Sequence, residues 1–232
     1  MTPGARKFLW TVPMVSPEKH ESLQQGWVRL MARYNIALVN AYPVFDLLVA
    51  AQSSPDRYYH NLEHLGEMFR VAGRLAIFCD DPQAIQLAIW FHDAVYDPRA
   101  KDNEARSADL AILLLGPLGV PAGVLERVTR MIRLTAHVTS DMPPGDRDTA
   151  ALVDADLAIL GAGEERYRRY AADIRKEFAW LPDEDYRTGR IAVLERFLSR
   201  ERIYNHEMIY TEGESRARAN MTAEIESLRT SP

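Results

Sequence analysis

Apolar residues return every three to four positions along almost the whole chain, and no run alternates with the period of two that a half-buried strand requires. Leu23, Trp27, Leu30, Met31 and Tyr34 mark a first amphipathic helix. A second covers roughly 36 to 51, with Pro43 expected to break or kink it. After "SSPD", the residues Leu62, Leu65, Phe69, Ala72 and Ala76 form one stripe of a third. Asp81-Pro82 reads as an N-cap followed by proline at the first helical position, and Ile85, Ala88, Ile89 and His92 then line one face. Residues 104 to 115 form a helix stopped by Gly116-Pro117. Pro121 opens another, carrying Val124, Val128, Ile132 and Thr135. "SDMPPGD" is a loop, "TAALVDADLAIL" a short apolar helix closed by Gly161. Long helices follow near 164–179 and 183–199, and a last one ends the chain. The expected fold class is all-α.

Length and composition bound the rest. The 232 residues, 47% of them hydrophobic, suffice for one sizeable core. Without a linker, repeat or low-complexity tract, one domain over 1–232 is the expectation. A net charge of −5 and a pI near 5.7 argue against general nucleic-acid binding. The single Cys79 excludes a disulfide framework and fits a reducing compartment. Pro3, Pro13 and charged residues interrupt any signal-like run, and no stretch has the length of a membrane span. A cytoplasmic protein with no membrane partner is expected.

Four short stretches carry chemistry. "RYYHNLEHLGEMF" (57–69) holds His60 and His64 four apart, which on a helix share a face. A solvated helix edge explains such a pair as readily as a site, since Glu63, Glu67, Arg70 and Arg74 form a polar stripe beside it. "AIWFHDAVYD" (88–97) sets His92 and Asp93 in the most apolar helix. An ionised Asp is costly to bury there unless it is paired or coordinated, and a metal needs this deprotonated carboxylate and neutral imidazole. A hydrogen-bonded His–Asp pair would serve equally. In "ALVDADLAIL" (151–160), Asp156 has Leu152, Val153, Ile159 and Leu160 at three and four residues, so it is expected to point into the core. Asp154, among alanines and Leu157, is left to a supporting role or to the helix dipole. His137 lies near a helix C-terminus, where the dipole favours it whatever its function. Imidazoles and carboxylates delivered by separate helices suit Mn, Fe, Zn, Ni or Co, and with enough water Mg.

The order of these groups resembles that of the HD superfamily of metal-dependent phosphohydrolases. "YYHNLEH", "WFHDAVYD" and "LVDADLAIL" look like its first histidine motif, its His-Asp doublet and its last aspartate. The first is also similar to the YHN-x-x-H run of cyclic-nucleotide phosphodiesterases. "DNEARSA", "YRTGRIAVLERFLSRERIY" and "ESRARAN" extend a resemblance to a bacterial group of predicted HD phosphohydrolases over roughly residues 20 to 229. The resemblance implies a single HD-type helical domain, with a motif core at about 56–160 and C-terminal helices over 161–232. It implies one or two divalent cations held by His64, His92, Asp93 and Asp156, with His137 toward a second metal. Asp93 would bridge, and His60 would donate a proton to the leaving oxygen. The implied substrate is a small phosphomonoester or phosphodiester, a nucleotide among the candidates. Lys101, Arg133, Arg187 and Arg190, in or near the motif segments, are candidates to cover its phosphate. A di-iron oxygenase and a non-catalytic metal- or ligand-binding protein are the alternatives.

Overall fold

The computed structural model describes residues 16–137 and 145–230. Among them it is all-α, with ten helices and no strand. Most of "SDMPPGD" and the stretch read for a signal peptide lie outside the described residues.

Local chemistry sets most boundaries. Helix α1 (Pro17–Arg33) starts where the Ser16 side chain accepts from the Lys19 amide, with proline at the first helical position. The indole of its Trp27 donates to the Ala41 carbonyl and ties α1 to α2 (Leu38–Gln52). Pro43 neither breaks nor ends α2. It lies on the exposed face, as does Val39 four residues back, so the carbonyl that loses its helical donor faces water.

Helix α3 (Leu62–Leu75) is capped by Asn61, whose side chain accepts from the Glu63 amide, and ends in a 3-10 turn at Ala76–Phe78. His60 therefore precedes the helix, and the expected shared helix face of His60 and His64 does not exist. Asp81 caps α4 (Pro82–Phe91), which is buried on nearly every side. Trp90 there meets Trp27, Phe45 and Phe69 at ring-centroid distances of 5.4 to 5.6 Å. Helices α5 (Asn103–Leu115) and α6 (Ala122–Leu134) pack as a hairpin, with α6 against α4.

Helix α7 (Arg147–Leu157) is the second inner helix, packed against α3 and α4. Its Asp148 accepts the Asp80 and Asp81 amides and fastens it to the head of α4. A 3-10 turn, Ala158–Gly161, follows. Helices α8 (Glu164–Glu177), α9 (Asp183–Leu198) and α10 (Glu207–Thr230) complete the chain. Buried side chains from Leu23 to Ile225 form one continuous cluster.

The C-terminal helix binds backbone ends that no helix satisfies. Asn220 donates to the carbonyls of Leu160 and Ala162, Arg216 to Gly161, and Arg218 to Leu198, Arg200 and Glu201. Glu214 accepts the amides of Ile203 and Tyr204. These are the polar residues of "ESRARAN" in two four-residue pairs on opposite sides of the helix, Arg216 and Asn220 toward residues 160–162, Glu214 and Arg218 toward residues 198–204. The crossing is close: a Cβ on Gly161 would stand 2.9 Å from the backbone of Gly213. No helix among the described residues is long and apolar enough to cross a membrane.

Candidate metal centre

Three helix ends meet inside the bundle. His64 comes from the first turn of α3, His92 and Asp93 from the C-terminal end of α4, and Asp156 from the last turn of α7. His64, His92 and Asp93 are buried, and one ligand atom of each lies within 4.8 Å of the others. The two Nε2 atoms face each other at 3.3 Å. Asp156 Oδ1 is 3.2 Å from His64 Nε2 and 4.0 Å from His92 Nε2. Asp93 Oδ2 is 3.0 Å from His92 Nε2.

This donor set fits a cation. His92 Nδ1 donates to the Ile89 carbonyl at 2.9 Å, so in the neutral ring Nε2 offers a lone pair toward the other three groups. Lone pairs and carboxylates aimed at one point repel unless a positive charge stands among them. In the protein alone that charge is a proton. Burial works against a charged His92, but Asp93 and Asp156 outweigh it and push its pKa up to about 9. Burial likewise opposes charge on Asp93, yet His92 and His60 hold it well below the usual carboxylate range. Asp156 is held down in the same way, by His137, His64 and His92 against burial.

His137 reaches the other oxygen of Asp156, with Nε2 2.8 Å from Oδ2. It lies three residues past α6 with φ +53°, a left-handed conformation uncommon for a side-chain-bearing residue. Its carbonyl accepts from Arg200, and its ring packs on Phe197.

His60 stands at the rim. Its Nδ1 is 2.6 Å from Glu177 Oε2, while Nε2 makes no hydrogen bond to the described residues. Glu177, buried in the last turn of α8, also accepts from the Tyr96 hydroxyl and from the amides of Tyr59 and His60. Desolvation lowers the basicity of His60, but Glu177 and Asp93 outweigh it and favour the imidazolium. Arg57 clamps the two motif turns together. One nitrogen donates to the carbonyls of His60 and Asp93, the other to that of Ala94.

Asp154 and Asp156 reverse their expected burial. Asp154 is fully buried, whereas the Asp156 side chain keeps 15% of its surface exposed at the centre. The face of Asp154 is covered by the turn entering α10, where it accepts the amides of Asn205 and His206 and the Asn205 side chain. A helical wheel of α7 alone contains no trace of that cover.

The candidate phosphate contacts lie in different surroundings. Arg190 is buried and paired through two nitrogens with Glu224, its guanidinium over the Tyr170 ring. Arg133 pairs with Asp109 on the surface. Both charges are already committed to carboxylates. Lys101 is exposed before α5, and Arg187 is half-buried on α9.

Glu177, Arg57 and Tyr96 escaped the sequence reading. One signal existed for Glu177, an acid in the last turn of a helix where the dipole disfavours it. No family model matches the chain, and neither curated proteins nor solved structures include a significant match to it.

Proposed function

We propose that the chain is a metal-dependent phosphoric ester hydrolase of HD type, acting on a small phosphomonoester or phosphodiester. The observation that carries this reading is the convergence of His64, His92, Asp93 and Asp156 on one point, with His60 held separately at the rim. A site built only for metal storage has no use for the second arrangement.

When bound, a divalent cation supplies Lewis acidity toward a phosphoryl oxygen and makes a nucleophile of water near neutral pH. The chain's own residues do the rest. His64 and His92 offer Nε2, Asp93 and Asp156 a carboxylate oxygen each. Ile89 fixes the His92 tautomer through its carbonyl. His137 orients Asp156, or joins it in holding a second cation. Glu177 anchors Nδ1 of His60 and leaves Nε2 to protonate the departing oxygen. Arg57 keeps the two turns in register so that acid and ligands address the same ester. Mn, Fe, Co, Ni, Zn and Mg all suit such N/O donors.

The test is to strip the protein of metal, reload it with each cation separately and assay a panel of phosphate mono- and diesters. Metal bound tightly and ester hydrolysed with at least one cation is the expected result. No hydrolysis with any cation sinks the reading, and an iron-dependent absorption band with oxygen consumption would replace it by an oxygenase.

A further inference from the structure

A cavity of about 270 Å³ lies against the metal centre, between α3, the 3-10 turn after α7, α8 and α10. His64 and Asp156 belong to its wall, so whatever fills it touches the same two side chains that face the cation. Its other charged groups come from the polar stripe of α3 and from the helices opposite.

Four guanidinium groups line it, Arg70, Arg74, Arg166 and Arg216, against the carboxylates Glu67 and Glu212 beside Asp156. Arg166 is paired with Glu67 and Arg74 with Glu212. Arg216 donates only to the backbone carbonyls of Gly161 and Glu212. Arg70 is exposed, with no hydrogen bond or ion pair among the described residues. With Asp156 turned to a cation, two of the four guanidinium groups, Arg70 and Arg216, have no hydrogen-bonded carboxylate.

A second, independent observation concerns Tyr59. It lines the same cavity, is 94% buried, and its hydroxyl has no hydrogen-bond partner. Its ring lies 4.7 Å from that of His64, with the Arg166 guanidinium 5.9 Å from the Tyr59 ring centre. Buried hydroxyls are rarely left unpaired, and this one, on a side chain that lines the same cavity as the guanidinium groups, is a donor without an acceptor. Guanidinium groups with an O–H donor recognise an oxyanion. The volume falls below the roughly 300–1,000 Å³ of pockets for drug-sized ligands, which restricts the occupant to a small group.

We propose that this cavity is a subsite for a second anionic group, carboxylate or phosphate, of the small phosphorylated compound whose ester lies at the His64–His92–Asp93–Asp156 centre. The substrate side of this statement rests on the phosphohydrolase reading; the oxyanion site itself does not.

Calorimetric titration of the full chain, stripped of metal, with sulfate isolates the subsite from the cation. One sulfate per chain is expected, bound about tenfold more weakly by Arg70→Gln and by Tyr59→Phe. Arg70 is exposed, so its replacement leaves the packing intact even where Tyr59→Phe does not fold. Absence of sulfate binding, or equal affinity in wild type and Arg70→Gln, overturns the subsite. In the metal-loaded enzyme, kcat/KM for 3-phosphoglycerate should exceed that for glycerol 3-phosphate by about tenfold or more, and Arg70→Gln should shrink the ratio. A ratio near one in the wild type overturns the second-anion assignment. Sulfate binding that persists in a protein hydrolysing no ester of the mono- and diester panel with any cation removes the phosphohydrolase reading and leaves the anion subsite standing.

Discussion

Glu177 Oε2 lies 2.6 Å from Nδ1 of His60, although the two are 117 residues apart. The carboxylate is buried, and four donors converge on it, so its position is fixed by the fold rather than by the histidine. Replacing it by Gln keeps the shape and removes the charge that favours the imidazolium. Glu177→Gln should therefore retain metal while the alkaline limb of kcat/KM moves to lower pH. A merely structural role would leave that limb in place.

Removal of the ring at residue 60 separates acid from ligand. His60→Ala should bind metal as the wild type does and lose about 10²–10⁴-fold in turnover on an alkyl phosphate ester. A nitrophenyl ester, whose leaving group hardly needs a proton, should suffer far less. Metal content measured beside both rates decides the matter, since a lost metal ligand slows both substrates alike.

The two aspartates of α7 should fail in different ways. Asp156→Ala should abolish metal binding. Asp154→Ala should keep metal but leave the Asn205 and His206 amides and the Asn205 side chain without an acceptor, costing on the order of 3 kcal/mol of stability. Thermal melting and metal analysis of the two variants form the comparison. Equal metal loss in both would reassign the ligand.

Metal removal should make stability depend on pH. In the folded, metal-free protein His92 titrates near 9, raised from 6.5. Its contribution is fully present below about pH 6.5 and lost as pH rises through 9. The metal-free melting temperature should fall between pH 6.5 and 9.5, and the metal-loaded protein should hold its own over that range because the cation replaces the proton. Parallel curves for the two forms would show that His92 carries no such proton.

What the sequence made legible was local. Periodicity located nearly every helix, and Ser16, Asn61 and Asp81 cap where such residues should. Asp156 stood out because an acid among Leu, Val and Ile demands a partner. Pro43 misled, because tolerance of a proline depends on which side of α2 meets water. His60 misled in another way: the cap at Asn61 starts the helix one residue too late for a four-residue spacing to mean a shared face. Glu177 and the cover over Asp154 were out of reach, since each pairs segments whose proximity only the folded chain defines.

The carbonyl clamp of α10 has a consequence for how the protein is made. His64, His92, Asp93 and Asp156 all leave the ribosome before Glu177, and Glu177 before the polar residues of α10 that gather the backbone around Leu160 and Leu198. The nascent chain thus carries all four side chains of the candidate centre while His60 still lacks its anchor, which arrives only with the last turn of α8.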